Sequence, residues 1–143
     1  MLRRLLRLRL RLLQVNVLFV CVGNSGRSVM AERLFRQAAA GRHESRSGGI
    51  RPYGTAAEPA VLAALREAGV DASDHVPHGF DDADIAWADV VIAACDGACP
   101  AVPGKRYENW GIADPYGRPV EQVRSIRDEI AHRVNGLVAS LDG

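Results

Sequence analysis

Cys21 and Arg27 stand six positions apart, with Val22, Gly23, Asn24, Ser25 and Gly26 between them. The preceding run, Val15 to Val20, is mostly apolar and β-branched or aromatic, which reads as a buried strand. Ser28 then takes the natural N-cap position of a helix beginning near Val29. A strand, a loop whose N–H groups can turn inward, and a helix N-terminus together make an anion site. A thiol in such a cradle is stabilised as a thiolate by the loop N–H groups and the helix dipole. Arg27 can present a planar two-pronged donor set to a tetrahedral oxyanion. In an Arg-rich chain the spacing alone is weak, and the strand-loop-helix context carries it. The competing reading is a buried cysteine at a strand end beside an ordinary turn.

Two more thiols, Cys95 and Cys99, lie in C-D-G-A-C-P after the apolar run Asp89 to Ala94. That run reads as a fully buried parallel strand. The pair could simply be small residues packing a helix start, or half of a zinc site completed by His75 and His78. A disulfide wants Cβ atoms about 3.5–4.5 Å apart. Helical residues four apart have theirs about 5–6 Å apart, so a helical C-D-G-A-C closes poorly. Gly97 and Pro100 favour a loop or a melted turn instead. Asp114 sits in N-W-G-I-A-D-P-Y-G, where Asp-Pro makes a rigid turn that can aim a carboxyl into a cleft. A plain turn aspartate is the alternative.

The elements that must position these residues alternate. Met30, Leu34 and Ala38 recur at helical spacing, and Gly41 ends that helix. Glu44 to Ile50 reads as a second strand. Thr55 and Glu58 form a potential capping box ahead of the stripe Val61, Leu62, Leu65 and Ala68, which Gly69 closes. Asp81 to Ala88 reads as a short helix and Lys105 to Trp110 as an edge strand. Val123, Ile126, Ile130, Val134, Leu137 and Leu141 mark a long C-terminal helix. This alternation predicts an α/β fold: one small four-stranded parallel sheet with helices on both faces. Ligands of such sheets sit beyond the carboxyl ends of the strands. Cys21 and Cys95 should therefore open onto one edge.

With 143 residues and 48% hydrophobic content, the chain has material for one good core and little for a second. A net charge of +1 argues against a general nucleic-acid binder. Three cysteines fit no secreted disulfide scaffold; they point to thiol chemistry in a reducing compartment, hence the cytoplasm.

CVGNSGRS followed by MAE resembles the low-molecular-weight protein tyrosine phosphatase superfamily, which includes the phosphatases and the thioredoxin-coupled arsenate reductases. The resemblance runs from Val15 to the C-terminus. It implies a catalytic Cys21, with Arg27 and the loop Val22, Gly23, Asn24, Ser25 and Gly26 binding the oxyanion. Ser28 would donate to the Cys21 sulfur, Asn24 would fix the loop, and Asp114 would be the general acid. Cys95 and Cys99 look like the two resolving cysteines of the reductases, and Trp110-Gly111 is also similar to that branch. Gly26 stands where many phosphatases carry a second loop cysteine. The implied activity is arsenate reduction, with phosphate or sulfate as analogues, no bound cofactor and thioredoxin as the external reductant. The alternatives are a phosphomonoesterase working through a phosphocysteine, and a non-catalytic oxyanion sensor. Glu32 and Ser47 resemble positions that bind potassium in some reductases. Asp74 to Phe80 departs from the pattern that completes that site, which weighs against a bound cation. No metal is expected, and a monomer is.

Met1 to Gln14 contains only Leu, Arg, Met and Gln and lies outside the resemblance. It has no uninterrupted apolar core or small-residue cleavage site of a secretory signal. Its period-two alternation is not that of a membrane-surface helix. An extension ahead of a domain spanning residues 15–143 is the simplest reading. Deleting residues 1–14 should leave activity and melting temperature largely intact. A large fall in Tm would make the segment part of the sheet, and loss of lipid binding would favour a membrane-surface role.

Overall fold

The computed structural model describes residues 2–4, 13–95 and 104–143. Cys99, Gly97, Pro100 and most of the Arg/Leu-rich start lie outside the described residues. Strand β1 (Asn16–Cys21) is followed by α1 (Arg27–Ala39), β2 (Glu44–Gly49), α2 (Pro59–Glu67) and α3 (Asp82–Trp87). Strands β3 (Val90–Ala93) and β4 (Arg106–Asn109) precede the long helix α4 (Val120–Asp142). All pairings are parallel and the strand order is β2-β1-β3-β4. This is the expected four-stranded architecture.

Strand β1 explains the arrangement. Its side chains alternate between two apolar clusters, so both of its faces are dry. Val17 and Phe19 pack with Val29, Phe35, Ile130 and Val134, beneath α1, α2 and α4. Leu18 and Val20 pack with Ala88 and Val91, against the half-buried Ile85 and Trp87 of α3. The second cluster is much the smaller. Arg46 helps cover it, its guanidinium carbon 4.1 Å from the Trp87 ring centroid and its Nη1 3.2 Å from Asp84.

The helix boundaries correct two expectations. Helix α1 begins at Arg27 with Gly26 as its N-cap, and no side chain caps it. Ser28 lies inside the first turn, and its hydroxyl reaches the Cys21 sulfur instead. The Thr55–Glu58 capping box does not form: Glu58 is the N-cap of α2, no side chain bonds there, and Pro59 opens the helix. Proline suits that position because its missing N–H needed no partner. The box that does form joins Asp81 and Asp84 at α3. Helix α1 turns out through Ala40 at φ 49° before Gly41 at φ 85°. Helix α2 closes as expected at Gly69, with Gly69 N–H on Arg66 O and Val70 N–H on Leu65 O.

The carboxyl ends of β1 and β2 meet unusually closely. Cys21 is in register with Gly49. A Cβ on Gly49 would stand 2.8 Å from Val22 O and 3.0 Å from Asn24 N, both backbone atoms. A Cβ on Gly48 would stand 2.8 Å from Phe80 Cβ. Gly49 also bridges Gly79, its N–H donating to His78 O at 2.9 Å. Only glycine lets the loop after β1 and the 71–80 segment close on β2 together. No helix of the described residues is long and apolar enough to cross a membrane.

Gly49→Ala should destabilise the fold by about 1–3 kcal/mol, because the obstructing atoms are main chain and cannot rotate away. Gly136→Ala is the control. It lies inside α4 with nothing within 4 Å of its Cβ position. It should stabilise by about 0.5–1 kcal/mol. Urea unfolding of the two variants tests the contrast.

Candidate active site

Cys21 ends β1 and is 2% exposed. Two groups approach its sulfur: Asn24 N–H at 3.3 Å and Ser28 Oγ at 3.0 Å. Ser28 Oγ already accepts from Asn24 Nδ2 at 2.8 Å, so its own proton is free to point at the sulfur. The first turn of α1 adds unpaired helix N–H groups beside this loop.

Asn24 organises these contacts. It has φ 54°, a left-handed conformation that asparagine tolerates and that turns its N–H inward. Its Nδ2 donates to Ser28 Oγ and, at 3.1 Å, to Ser47 Oγ. Its Oδ1 accepts from His78 N–H at 3.0 Å. Its carbonyl faces His75 Nε2 at 2.8 Å, so that nitrogen carries the proton. Burial pushes the His75 imidazole below its usual range, and the bond to Asn24 O opposes this. His78 spans two carbonyls, Nδ1 to Val76 O at 2.8 Å and Nε2 to Ser47 O at 2.7 Å.

Above Cys21 is a cavity of about 310 Å³. Its floor is Val22, Gly23, Ser25, Gly26 and Arg27. Asn24, expected among the oxyanion ligands, does not line it and supports the loop from behind. Arg27 is 4% exposed; its Nη1 donates to Ile112 O at 3.1 Å and its Nη2 is 3.8 Å from Asp114 Oδ2. Asp114 is on the cavity wall in the turn that Asp-Pro predicts, with Oδ1 accepting Tyr116 N–H at 3.0 Å. A Cβ on Gly26 would stand 2.8 Å from Pro115 Cγ, so this turn leaves no room for a second loop cysteine.

Four wall residues escaped the sequence reading: Arg51, Tyr53, Glu58 and Tyr116. Burial pushes the Glu58 carboxyl up, the charge of Asp114 pushes it further, and Arg27 pulls it back. The supporting roles of His75 and His78 were also missed. The only available signal was their closeness to Gly79, whose partner Gly49 is thirty positions away.

Cys95 lies two residues beyond β3, 3% exposed, against Ala93 and Tyr107. Val20 is in register with Ala93, so Cys21 and Cys95 share the carboxyl edge, as the topology requires. Cys21 is a free thiol and Cys95 is disulfide-bonded. Glu32 Oε1 lies 3.2 Å from Arg33 and 3.7 Å from Arg36. Among the described residues no group of three or more His, Cys, Asp or Glu side chains could hold a metal ion.

Asn24→Ala would leave the buried Ser47 hydroxyl and the His78 N–H without their Asn24 partner, and Ser28 with the Cys21 sulfur alone. A loss of about 1–3 kcal/mol in stability is expected for such a group. Binding of inorganic phosphate, read by calorimetry, should fall at least about tenfold, or 1.4 kcal/mol. Unchanged phosphate affinity would mean that the loop holds its shape without Asn24.

Residues 16–143 match the family model described as low molecular weight phosphotyrosine protein phosphatase. An arsenate reductase of Staphylococcus aureus (strain Newman) is 36% identical over 118 residues, covering 80% of this chain and 88% of the relative. A solved arsenate reductase in a phosphate-binding state superposes with TM-score 0.82 at 30% identity, covering 89% of this chain and 98% of that one. The thioredoxin-dependent arsenate reductase of Corynebacterium glutamicum gives TM-score 0.75 at 36% identity, covering 90% of this chain and 62% of that one. The family match over nearly the whole chain and these superpositions agree, and the chain belongs to the low molecular weight phosphotyrosine protein phosphatase family.

Proposed function

We propose that this protein reduces arsenate to arsenite. The carrying observation is the pairing of a cradled free thiol, Cys21, with a second cysteine-bearing segment at the same sheet edge. The relatives named arsenate reductases support the same activity.

In this reading arsenate docks on the loop N–H groups and the Arg27 guanidinium. The Cys21 thiolate attacks arsenic, forming an S–As bond while one oxygen leaves as water. Asp114, on the cavity wall, supplies the proton to that oxygen. Cys95 then attacks the Cys21 sulfur. An S–S bond forms, the S–As bond breaks, and its electron pair stays on arsenic, which leaves as arsenite. Cys99 attacks Cys95, the disulfide moves to Cys95–Cys99, and Cys21 is released as a thiolate. An external dithiol, which we take to be thioredoxin, reduces the pair, and a reducing, cytoplasmic setting suits that step. A phosphomonoesterase would use the same loop through a phosphocysteine but would leave Cys95 and Cys99 without a task.

Arsenite release with thioredoxin, thioredoxin reductase and NADPH, run beside hydrolysis of p-nitrophenyl phosphate, tests the proposal. Cys21→Ser should abolish both activities, since a hydroxyl is far less acidic and less nucleophilic. Cys95→Ser should stop arsenite release. Cys99→Ser should permit a single turnover and trap a Cys21–Cys95 disulfide that peptide mapping can find. Normal cycling of Cys99→Ser with thioredoxin would sink the three-cysteine relay. Hydrolysis without any arsenite release would favour the phosphatase.

A further inference from the structure

Glu58 stands at the N-cap of α2 but does not cap it. Its N–H donates to Ser25 O at 3.0 Å, which fastens the start of α2 to the anion loop. Its half-buried side chain lines the cavity over Cys21. Oε2 is 3.1 Å from where a Cβ on Gly26 would stand, so the carboxyl lies against the loop residue just before Arg27. Among the described residues neither of its oxygens accepts a hydrogen bond. Asp114, the other carboxyl on this wall, is already engaged. Its Oδ1 accepts Tyr116 N–H, and its Oδ2 is 3.8 Å from Arg27 Nη2. A carboxyl with open acceptor positions thus faces a cradle made of donors.

We infer that Glu58 is a specificity residue that accepts the proton of a hydrogen-bearing oxyanion, so that the site takes hydrogen phosphate or hydrogen arsenate and rejects sulfate. Above neutral pH all three are tetrahedral dianions of similar size, and sulfate alone has no hydroxyl. The loop N–H groups and Arg27 only donate, so they hold each of the three in the same way. An acceptor on the wall tells them apart. A ligand hydroxyl can donate to the Glu58 carboxylate in a charge-assisted hydrogen bond. Sulfate sets its own lone pairs against that carboxylate, or enters only after Glu58 takes a proton from solvent. The groups facing Glu58 are Arg27 from α1, Asp114 and Tyr116 after β4, and Arg51 and Tyr53 after β2. Burial and the charge of Asp114 raise the Glu58 carboxyl against the pull of Arg27. Its proton affinity is thereby closer to that of the ligand hydroxyl, which favours a shared proton. This inference rests on the arsenate reading only for which hydrogen-bearing oxyanion is the substrate.

Calorimetric titration of the full chain with inorganic phosphate and with sulfate, at matched ionic strength and mildly alkaline pH, tests the selection. The unaltered protein should bind phosphate at least about tenfold more tightly than sulfate. Glu58→Gln replaces an acceptor oxygen with a donor amide and should narrow that gap to about threefold or less, chiefly by tightening sulfate. Glu58→Ala removes the carboxylate without adding a donor and should narrow it in the same direction. On acidification, protonation of Glu58 should tighten sulfate in the unaltered protein more than in Glu58→Gln. Equal binding of phosphate and sulfate by the unaltered protein would overturn the inference. So would an unchanged gap in both Glu58 variants. A gap that only Asp114→Asn closes would assign the selection to Asp114 and overturn it as well. These titrations do not use the cysteine relay, so a protein that fails to reduce arsenate can still reject sulfate. One that reduces arsenate yet binds sulfate as well as phosphate fails this inference alone.

Discussion

The left-handed turn at Asn24 sets the surroundings of the Cys21 sulfur. At φ 54° its N–H points at that sulfur, and most side chains are strained in this conformation. Glycine would take the turn without strain but has no amide to offer Ser28 and Ser47. Asparagine meets both demands. Its side chain joins helix α1 through Ser28, strand β2 through Ser47 and the 71–80 segment through His78. Three separately folded pieces thereby share one residue. The absence of side chains at Gly48 and Gly49 is what allows them to come close enough.

Contacts that repeat along the chain were legible, and contacts that cross it were not. The continuous apolar runs of β1 and β3 and the stripe along α4 report burial directly, so strands, helices and their parallel order could be read from them. The placing of Cys21, Cys95 and Asp114 at one edge followed from that order. Local capping rules failed where tertiary demand won. Ser28 had the composition of an N-cap, yet its hydroxyl is taken by the sulfur and Asn24. Thr55 had the spacing of a capping box, yet Pro59 starts the helix and Glu58 turns to the cavity. His75 looked like a zinc candidate because spacing suggests ligands; its actual partner is a backbone carbonyl fifty-one positions earlier. No local pattern distinguishes a histidine that holds a loop from one that holds a metal. The meeting of Tyr53 with Tyr116 depends on two loops converging from opposite edges, which periodicity does not encode.

The fold divides its labour between a rigid centre and adaptable edges. Strand β1 is buried on both faces, so the Cys21 backbone has little freedom. What lines the cavity over the thiol comes from elsewhere, Arg51 and Tyr53 after β2 and Asp114 and Tyr116 after β4, while Cys95 follows β3 at the same sheet edge. The same anion cradle can therefore serve hydrolysis or reduction according to what the outer segments bring to it. A phosphorylated thiol needs only water for its second step. An arsenylated thiol needs another sulfur, and the segment after β3 is where this chain carries one.

The charges around the cavity sharpen this division. Arg27 is a buried fixed cation, whereas Asp114 and Glu58 are two carboxyls on the same wall. Burial and the neighbouring Asp114 already favour the protonated form of Glu58. In the reaction proposed above, an oxyanion on the loop would add negative charge close to Glu58 and favour its protonated form further, because like charges a few ångströms apart disfavour ionisation. Arg27 and the loop N–H groups would keep the binding of that anion favourable, and none of this requires the sheet to move.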